Sequence, residues 1–329
     1  MTEVPQSKIA GTGKAVPSKV LTNHDLEKLV DTSDQWIRER TGIERRHILE
    51  EGRTNSDLAS EAARSALVDA GVKHEELDCI ICATISGDSP LPATACHVQA
   101  KLGAKQAIAF DISAACSGFL YGLSLADSLI RSKRHNRILV IGSEVLSRFA
   151  DWKDRATCVL FGDGAGAAVV VPSDGRAGIL TTYLRSDGNL AHLLHTPGGG
   201  ATFPATHETV DQRLHFIRME GREVFKHAVR TMVDAARNSL KQAKLRPEEI
   251  DFLIPHQANI RIIDAIGERL HLPREKIIVN VNEYGNTSAA SIPIAMDEAR
   301  RDGRIREGST GLLIAFGGGF TWASSVVRF

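Results

Sequence analysis

A layered α/β body made from one half used twice is the fold class this sequence predicts. Three observations predict it. The chain matches itself when shifted by 173 positions, amphipathic helix patterns alternate with short apolar strands, and the apolar runs are strand-sized rather than the roughly 18–20 residues of a membrane span. The composition agrees: 329 residues, 43% hydrophobic and 24% charged, are enough for two globular domains at roughly 150 residues each. Lys+Arg (40) balance Asp+Glu (40), which argues against wholesale nucleic-acid binding but leaves room for a local basic patch. Residues 1–8 lack the apolar core of a signal peptide, and five cysteines, an odd number, fit reduced thiols. The expectation is a cytoplasmic protein with no membrane or nucleic-acid partner.

The elements follow in order from the self-match. Residues 62–67 lie over 235–240 as amphipathic helices, and the charged turns 75–78 and 248–251 come next. Apolar strands at 79–83 and 252–254 follow, then a polar loop, a helix and a second strand, at 107–112 and at 277–281. Each second strand enters a small-residue turn, 113–118 or 283–288, and a further helix; third strands are expected at 137–142 and 311–316. The period is far longer than a solenoid repeat of roughly 20–50 residues. Strands separated by helices imply mostly parallel sheets covered by helices. Two such halves, 1–174 and 175–329, stack as α/β/α/β/α, with the turn at 172–175 between them. Sites in such folds gather at the carboxyl ends of strands, where both small-residue turns lie.

Cys116 stands in the first of these turns and opens a helix of apolar residues at 119, 120, 123, 126, 129 and 130. Unpaired N–H groups and the positive dipole end there favour a thiolate, while a space-filling buried cysteine is the plain alternative. Cys79 and Cys82 lie three apart in a strand, so they face opposite sides and cannot form a redox pair. Cys158, placed in an expected strand at 157–161, and Cys96, in a helix beside His97, read as structural. His256 follows the 252–255 strand and opens a His-Gln-Ala-Asn turn, either a catalytic candidate or a helix-capping cluster. Asn286 occupies the repeat-mate of the Cys116 turn, so the duplication brings it towards Cys116, although Asn and Thr are also ordinary helix caps. The glycines at 162–166 precede a strand where a phosphate loop needs a helix, and read as a strand kink. The run 317–319 reads as a hairpin-like turn whose N–H groups could serve an oxyanion.

Arg222, Lys226 and Arg230 recur every four residues on one helix face, with Arg237 near it, opposite an apolar face of Phe225, Val229, Met232 and Ala236. Arg261 and Arg269 lie on the helix after His256. Such stripes are often solvated faces, yet here an acidic or phosphorylated partner is in play. Trp36, with Arg38 and Arg40, offers an aromatic plate and guanidiniums suited to a base and a phosphate, or simply to packing.

Together these stretches, Asp-Thr-Ser-Asp-Gln-Trp-Ile at 31–37, Arg-Thr-Gly-Ile at 40–43, Asp-Ile-Ser-Ala-Ala-Cys-Ser-Gly-Phe at 111–119, Pro-His-Gln-Ala-Asn at 255–259, Gly-Asn-Thr-Ser-Ala-Ala at 285–290 and Phe-Gly-Gly-Gly-Phe-Thr-Trp at 316–322, resemble the β-ketoacyl-acyl-carrier-protein synthase III family. The resemblance spans essentially the whole chain and implies a thiolase-like fold, a homodimer, and condensation of an acyl-CoA with malonyl-acyl-carrier protein, with no cofactor or metal. It implies that Cys116 takes the acyl group, that His256 and Asn286 hydrogen-bond the enolate, and that the N–H groups of Cys116 and Gly318 hold the oxyanion. Trp36 and Arg155 would flank the CoA adenine, with Thr32 and Arg40 at its ends; Gly221, Phe225, Ala258 and Asn259 would line the pantetheine channel. Lys226, Arg261 and Arg269 match carrier-protein contacts. Leu91 matches a position that limits primer length across the dimer, where some acetyl-specific members have Phe. The sequence departs from the family at Arg222, where some members have an amide, at Ala156, where glycine is common, and at Glu268, which replaces a basic residue. A relative in secondary metabolism with an unusual primer, or a non-catalytic CoA- or carrier-binding relative, are the rival readings; the intact Cys, His and Asn count against the latter.

Overall fold

Capping residues and apolar stripes set the helices. The structure, a computed structural model, describes residues 6–329; residues 1–5, part of the stretch read for a signal peptide, lie outside them. Helix α1 covers Asp34–Thr41 and α2 covers Asn55–Ala70. The latter starts at a Thr54–Asp57 capping box and stops at Gly71, whose φ of 63° ends it in a left-handed cap. Further helices are α3 (Thr94–Leu102), α4 (Gly118–Arg131), α5 (Gly221–Ala243), α6 (Ile260–Leu270) and α7 (Ser291–Arg301).

Strands β1 (Ser7–Ala15), β2 (Cys79–Ala83), β3 (Ile108–Ile112), β4 (Ile138–Val145) and β5 (Asp163–Pro172) form one sheet, in the order β1-β5-β4-β2-β3. Strands β6 (Gly178–Ser186), β7 (Phe252–Pro255), β8 (Thr310–Gly317) and β9 (Thr321–Arg328) form the other, in the order β7-β8-β9-β6. Helices α4 and α7 sit between the sheets, in one core with Ile81, Val140, Ile254 and Leu313. Helices α2 and α3 cover the outer face of the first sheet, and α5 and α6 that of the second. The expected α/β/α/β/α layering is what forms. Phe119, Leu120 and Leu123 of α4 are all but inaccessible; truncating such a leucine to alanine costs about 2–5 kcal/mol. The repeat is also visible in three dimensions, since the 173-residue offset carries the end of α2 at Ala70 onto the end of α5 at Ala243, and the start of α4 at Gly118 onto the start of α7 at Ser291.

Four expectations need correction. The sheets are mixed rather than mostly parallel: β2 pairs in parallel with β3 and β4, and β7 with β8, while β4–β5, β5–β1, β8–β9 and β9–β6 are antiparallel. Connections such as 318–320 are too short for the crossover that parallel strands need. Cys158 ends a helical turn, Arg155–Cys158, because Asp154 accepts from the Ala156 N–H at 2.9 Å and caps it. Residues 277–281 do not form a full strand. Only one bridge, Leu253 to Ile277, is made, and the Gln257 amide takes the place of a ladder partner, donating to the Ile278 carbonyl (3.1 Å) and accepting from the Asn280 N–H (2.9 Å). The glycines at 162–166 lie at the start of β5, and they matter for close approach rather than a kink: a Cβ on Gly166 would meet the Ile294 nitrogen of α7 at 2.7 Å.

Candidate active site

The turn Ala115–Ser117 joins β3 to α4, and its mate Ser288–Ala290 leads into α7. Ala115 (φ 46°) and Ser288 (φ 48°) both sit in the left-handed region, a costly choice for residues with a side chain. That kink turns Cys116 towards a cavity of about 670 Å³. Cys116, His256, Asn286, Gly318, Gly221, Phe225, Ala258 and Asn259 all line it, so the structure brings eight of the expected site residues to one space. Its remaining wall is largely apolar, including Leu146, Phe161, Ile217 and Met232.

Burial pushes the Cys116 thiol up to about 12, against the opposing pull of the Ser288 hydroxyl and its own backbone N–H. Desolvation thus outweighs the helix N-terminus that the sequence emphasised. Behind the thiol, the end of β8 approaches so closely that a Cβ on Gly317 would lie 2.6 Å from the Cys116 nitrogen. The following turn is held to the Cys116 loop by two bonds: Thr321 Oγ1 donates to the Ala114 carbonyl (2.8 Å), and Ser117 Oγ donates to the Thr321 carbonyl (3.1 Å).

His256 is fixed at the end of β7 by its N–H, which donates to the Ile314 carbonyl at 2.8 Å. Its Nδ1 lies 2.7 Å from Ser291 Oγ, and that oxygen also accepts from the Gln257 N–H at 3.4 Å. Nδ1 is the acceptor within reach of the Ser291 hydroxyl among the described residues, so donation to it satisfies that O–H and assigns the imidazole proton to Nε2. Desolvation lowers the His256 pKa to about 3, so the ring is neutral and a hydrogen-bond donor at neutral pH. Asn286 is similarly oriented. Its Oδ1 accepts from the Ser288 N–H (2.9 Å), its N–H donates to the Leu160 carbonyl (2.8 Å), and the Nδ2 donors remain for the cavity.

Of the expected residues, Thr32, Trp36, Arg40, Arg155, Lys226, Arg261, Arg269 and Leu91 are not among those lining the cavity. Asn259 caps α6 through the Arg261 N–H (2.8 Å) and donates to the Arg40 carbonyl (2.9 Å), so the turn is a helix cap that also lines the cavity. The Trp36 ring carries the guanidiniums of both Arg40 (4.8 Å) and Arg155 (4.9 Å) over it, and Arg155 also donates to the Asp31 carbonyl. The Thr32 hydroxyl is buried with no hydrogen-bond partner. Lys226, Arg261 and Arg269 are exposed, and the Arg261 guanidinium lies 5.7 Å over the Phe225 ring, which reaches the cavity from the other side. Leu91 is not brought to the cavity of its own chain and is 85% exposed. Sequence reasoning missed Ser288, Ser291, Gln257 and the buried Glu144. Of these only Glu144, a lone carboxylate continuing an apolar strand, left a signal in the sequence. Among the described residues no group of three or more His, Cys, Asp or Glu is placed to hold a metal ion, and no helix is long and apolar enough to cross a membrane.

Comparison with known proteins places this geometry. Profiles of the family described as 3-oxoacyl-[acyl-carrier-protein (ACP)] synthase III match residues 110–188 and, for its C-terminal part, 240–329. A beta-ketoacyl-[acyl-carrier-protein] synthase III of Caldanaerobacter subterraneus is 54% identical over 329 residues, covering 100% of this chain and 99% of that protein. The crystal structure of 3-oxoacyl-[acyl-carrier-protein] synthase III from Aquifex aeolicus superposes with a TM-score of 0.92 at 51% identity, covering 98% of this chain and 100% of that one. The priming β-ketosynthase of the R1128 polyketide pathway superposes with a TM-score of 0.91 at 34% identity, covering 100% and 98%.

Proposed function

From the premise that this chain belongs to the β-ketoacyl-acyl-carrier-protein synthase III family, we propose that Cys116, His256 and Asn286 carry its two-stage condensation. The protein is a thiolase-like condensing acyltransferase of fatty-acid synthesis. In the first stage Cys116 attacks the carbonyl of an acyl-CoA, acetyl-CoA or somewhat longer, and CoA leaves. The N–H groups of Cys116 and Gly318 hold the oxyanion. In the second, malonyl-acyl-carrier protein loses carbon dioxide, and its enolate oxygen accepts from His256 Nε2–H and Asn286 Nδ2 before its carbon attacks the acyl group. No metal or cofactor enters this scheme; the CoA thioester is a substrate. The observation that carries it is the convergence of a buried thiol and two oriented donors on one cavity.

Residues at the mouth extend the reading. Trp36 and Arg155 flank the CoA adenine, Thr32 and Arg40 bind its ends, and Gly221, Phe225, Ala258 and Asn259 line the pantetheine path. The exposed cations Lys226, Arg261 and Arg269 dock the acidic carrier protein. A second copy pairs along β3, whose outer edge is free and whose Ile108 is 50% exposed. That pairing brings Leu91 to the partner's primer pocket. The 54% and 51% identities to fatty-acid enzymes favour this over the polyketide priming role, matched at 34%.

Incubation with radiolabelled acyl-CoAs, digestion and peptide mapping test the scheme. Label is expected on Cys116, discharged by malonyl-acyl-carrier protein far better than by malonyl-CoA. No label at Cys116 with any acyl-CoA refutes it.

A further inference from the structure

Arg46 is the largest fully buried side chain among the described residues, and the scheme above makes no use of it. It lies in a two-stranded ribbon, Val20–Thr22 paired with Arg45–His47. Its Nη1 donates to the Leu21 carbonyl (3.2 Å) and to Asn23 Oδ1 (2.8 Å), and its Nη2 donates to the Val159 carbonyl (2.7 Å). Among the described residues no carboxylate pairs with it, and its Nε has no hydrogen-bond partner. Burial holds its pKa down to about 10, so it is a cation at neutral pH. Burying a charge against neutral acceptors alone is costly, and a Leu or Met would fill the space without that cost. The partners of Arg46 lead instead to Asn286. Val159 opens the segment 159–162, which clamps Asn286 as a parallel bridge. The Leu160 carbonyl accepts from the Asn286 N–H (2.8 Å), and the Gly162 N–H donates to the Asn286 carbonyl (3.1 Å). The Arg46 stem packs on the same clamp, since its Cβ would lie 3.0 Å from a Cβ on Gly162 and 3.4 Å from one on Gly285. The ribbon also holds the approach to Asn286, because the Glu44 N–H donates to the Asn282 carbonyl at 2.9 Å.

Resting on the condensation just described, we propose that Arg46 is a positioning residue for its second stage: by fixing residues 159–162 it aims the Asn286 amide at the enolate oxygen. A donor stabilises that oxygen only when it stands at hydrogen-bond distance from the place the charge develops, so a small shift of the clamp weakens it. A guanidinium suits the task, because its planar fork fixes direction as well as distance across three acceptors, whereas an ammonium on a flexible stem fixes one point. The other two groups of the site are held elsewhere. His256 is set by the Ile314 carbonyl and Ser291, and the Cys116 turn by Thr321. Arg46 therefore acts on one donor of the second stage and leaves the first stage alone.

Arg46→Lys tests this, since it keeps the charge and the stem and loses the fork. CoA release in the absence of malonyl-acyl-carrier protein should match wild type. Carbon dioxide release from malonyl-acyl-carrier protein should slow about tenfold, in kcat and not in KM. The same substitution in two further backgrounds decides the role. In Asn286→Ala it should slow decarboxylation no further, because the amide it aims is gone; in His256→Ala it should keep its full effect. Equal factors in both backgrounds, equal slowing of both stages, or no slowing at all overturns the proposal and leaves Arg46 a residue of the fold. Thermal melting reports whether Arg46→Lys folds. If it does not, Asn23→Ala, which removes one of the three acceptors and spares the guanidinium, carries the same two-background test with a smaller effect. A wild type that releases neither CoA nor carbon dioxide, or an Asn286→Ala enzyme as fast as wild type, refutes the condensation roles themselves, so the two failures are distinguishable.

Discussion

The turns Ala115–Ser117 and Ser288–Ala290 face each other across the cavity and share one backbone course, each opening at a left-handed residue and each starting a central helix. They differ in what they carry. The first puts a thiol on its second residue; the second has a methyl there, Ala289, but a hydroxyl on Ser288 and an oriented amide just ahead on Asn286. Two similar mounts thus hold a thiol on one side and a hydroxyl and an amide on the other. The lesson is that the duplicated geometry supplies placement, while side chains at a few positions divide the chemistry.

The hardest blow to this division is also its sharpest test. Cys116→Ala should abolish acyl transfer by about 10⁴-fold or more, because the whole first stage goes through it. His256→Ala and Asn286→Ala should leave Cys116 acylation intact and slow malonyl decarboxylation by about 10²–10³-fold each. CoA release and carbon dioxide release read the two stages separately; loss of acylation in either donor variant would break the division.

The halves also differ in the sign of their proton linkage. His256, with its pKa lowered from 6.5 to about 3, contributes stability that is full above its unfolded value and lost as pH falls towards 3. Glu144, raised from 4.5 to about 7, contributes stability that is full below 4.5 and lost as pH rises through 7. Between pH 5 and pH 8 the Glu144 loss of up to about 3 kcal/mol is largely offset by a His256 gain of about 2 kcal/mol, so denaturant unfolding of wild type should change little. Glu144→Gln should instead become more stable by about 2 kcal/mol over that window, and a pH dependence equal to that of wild type would remove Glu144 as a source.

The smallest effect concerns the primer. Leu91 is smaller than Phe, so turnover of some C4–C8 acyl-CoA should exceed that of acetyl-CoA; Leu91→Phe should reverse the preference by roughly tenfold. Equal or lower wild-type turnover of every C4–C8 primer would contradict this. Because Leu91 is 85% exposed in one chain, any effect at all must act through a partner, so a monomer in sedimentation with a primer effect would contradict the pairing along β3.

The layers, the repeat and the meeting of Cys116 with Asn286 were legible because helix and strand periods are local and the offset of 173 compares like with like. The strand expected at 277–281 failed because one distant side chain, Gln257, takes the hydrogen bonds a neighbouring strand would have made. The Asp154 cap was present in the sequence but was masked by the apolar run beyond it. Ser291 and the Glu144–Ser288 pair escaped notice for a plainer reason: their roles exist only once segments more than thirty residues apart are in contact. Propensity and spacing carry no trace of such pairings.

The Arg40–Trp36–Arg155 cluster has a consequence for observation. The chain holds three tryptophans, and this one carries two guanidiniums over its ring. A planar ligand ring that stacked on that indole would disturb its contact with those cations and so change the fluorophore's surroundings. Intrinsic emission should therefore count ligands bound at this cluster, unlabelled and in real time, whether or not they go on to react.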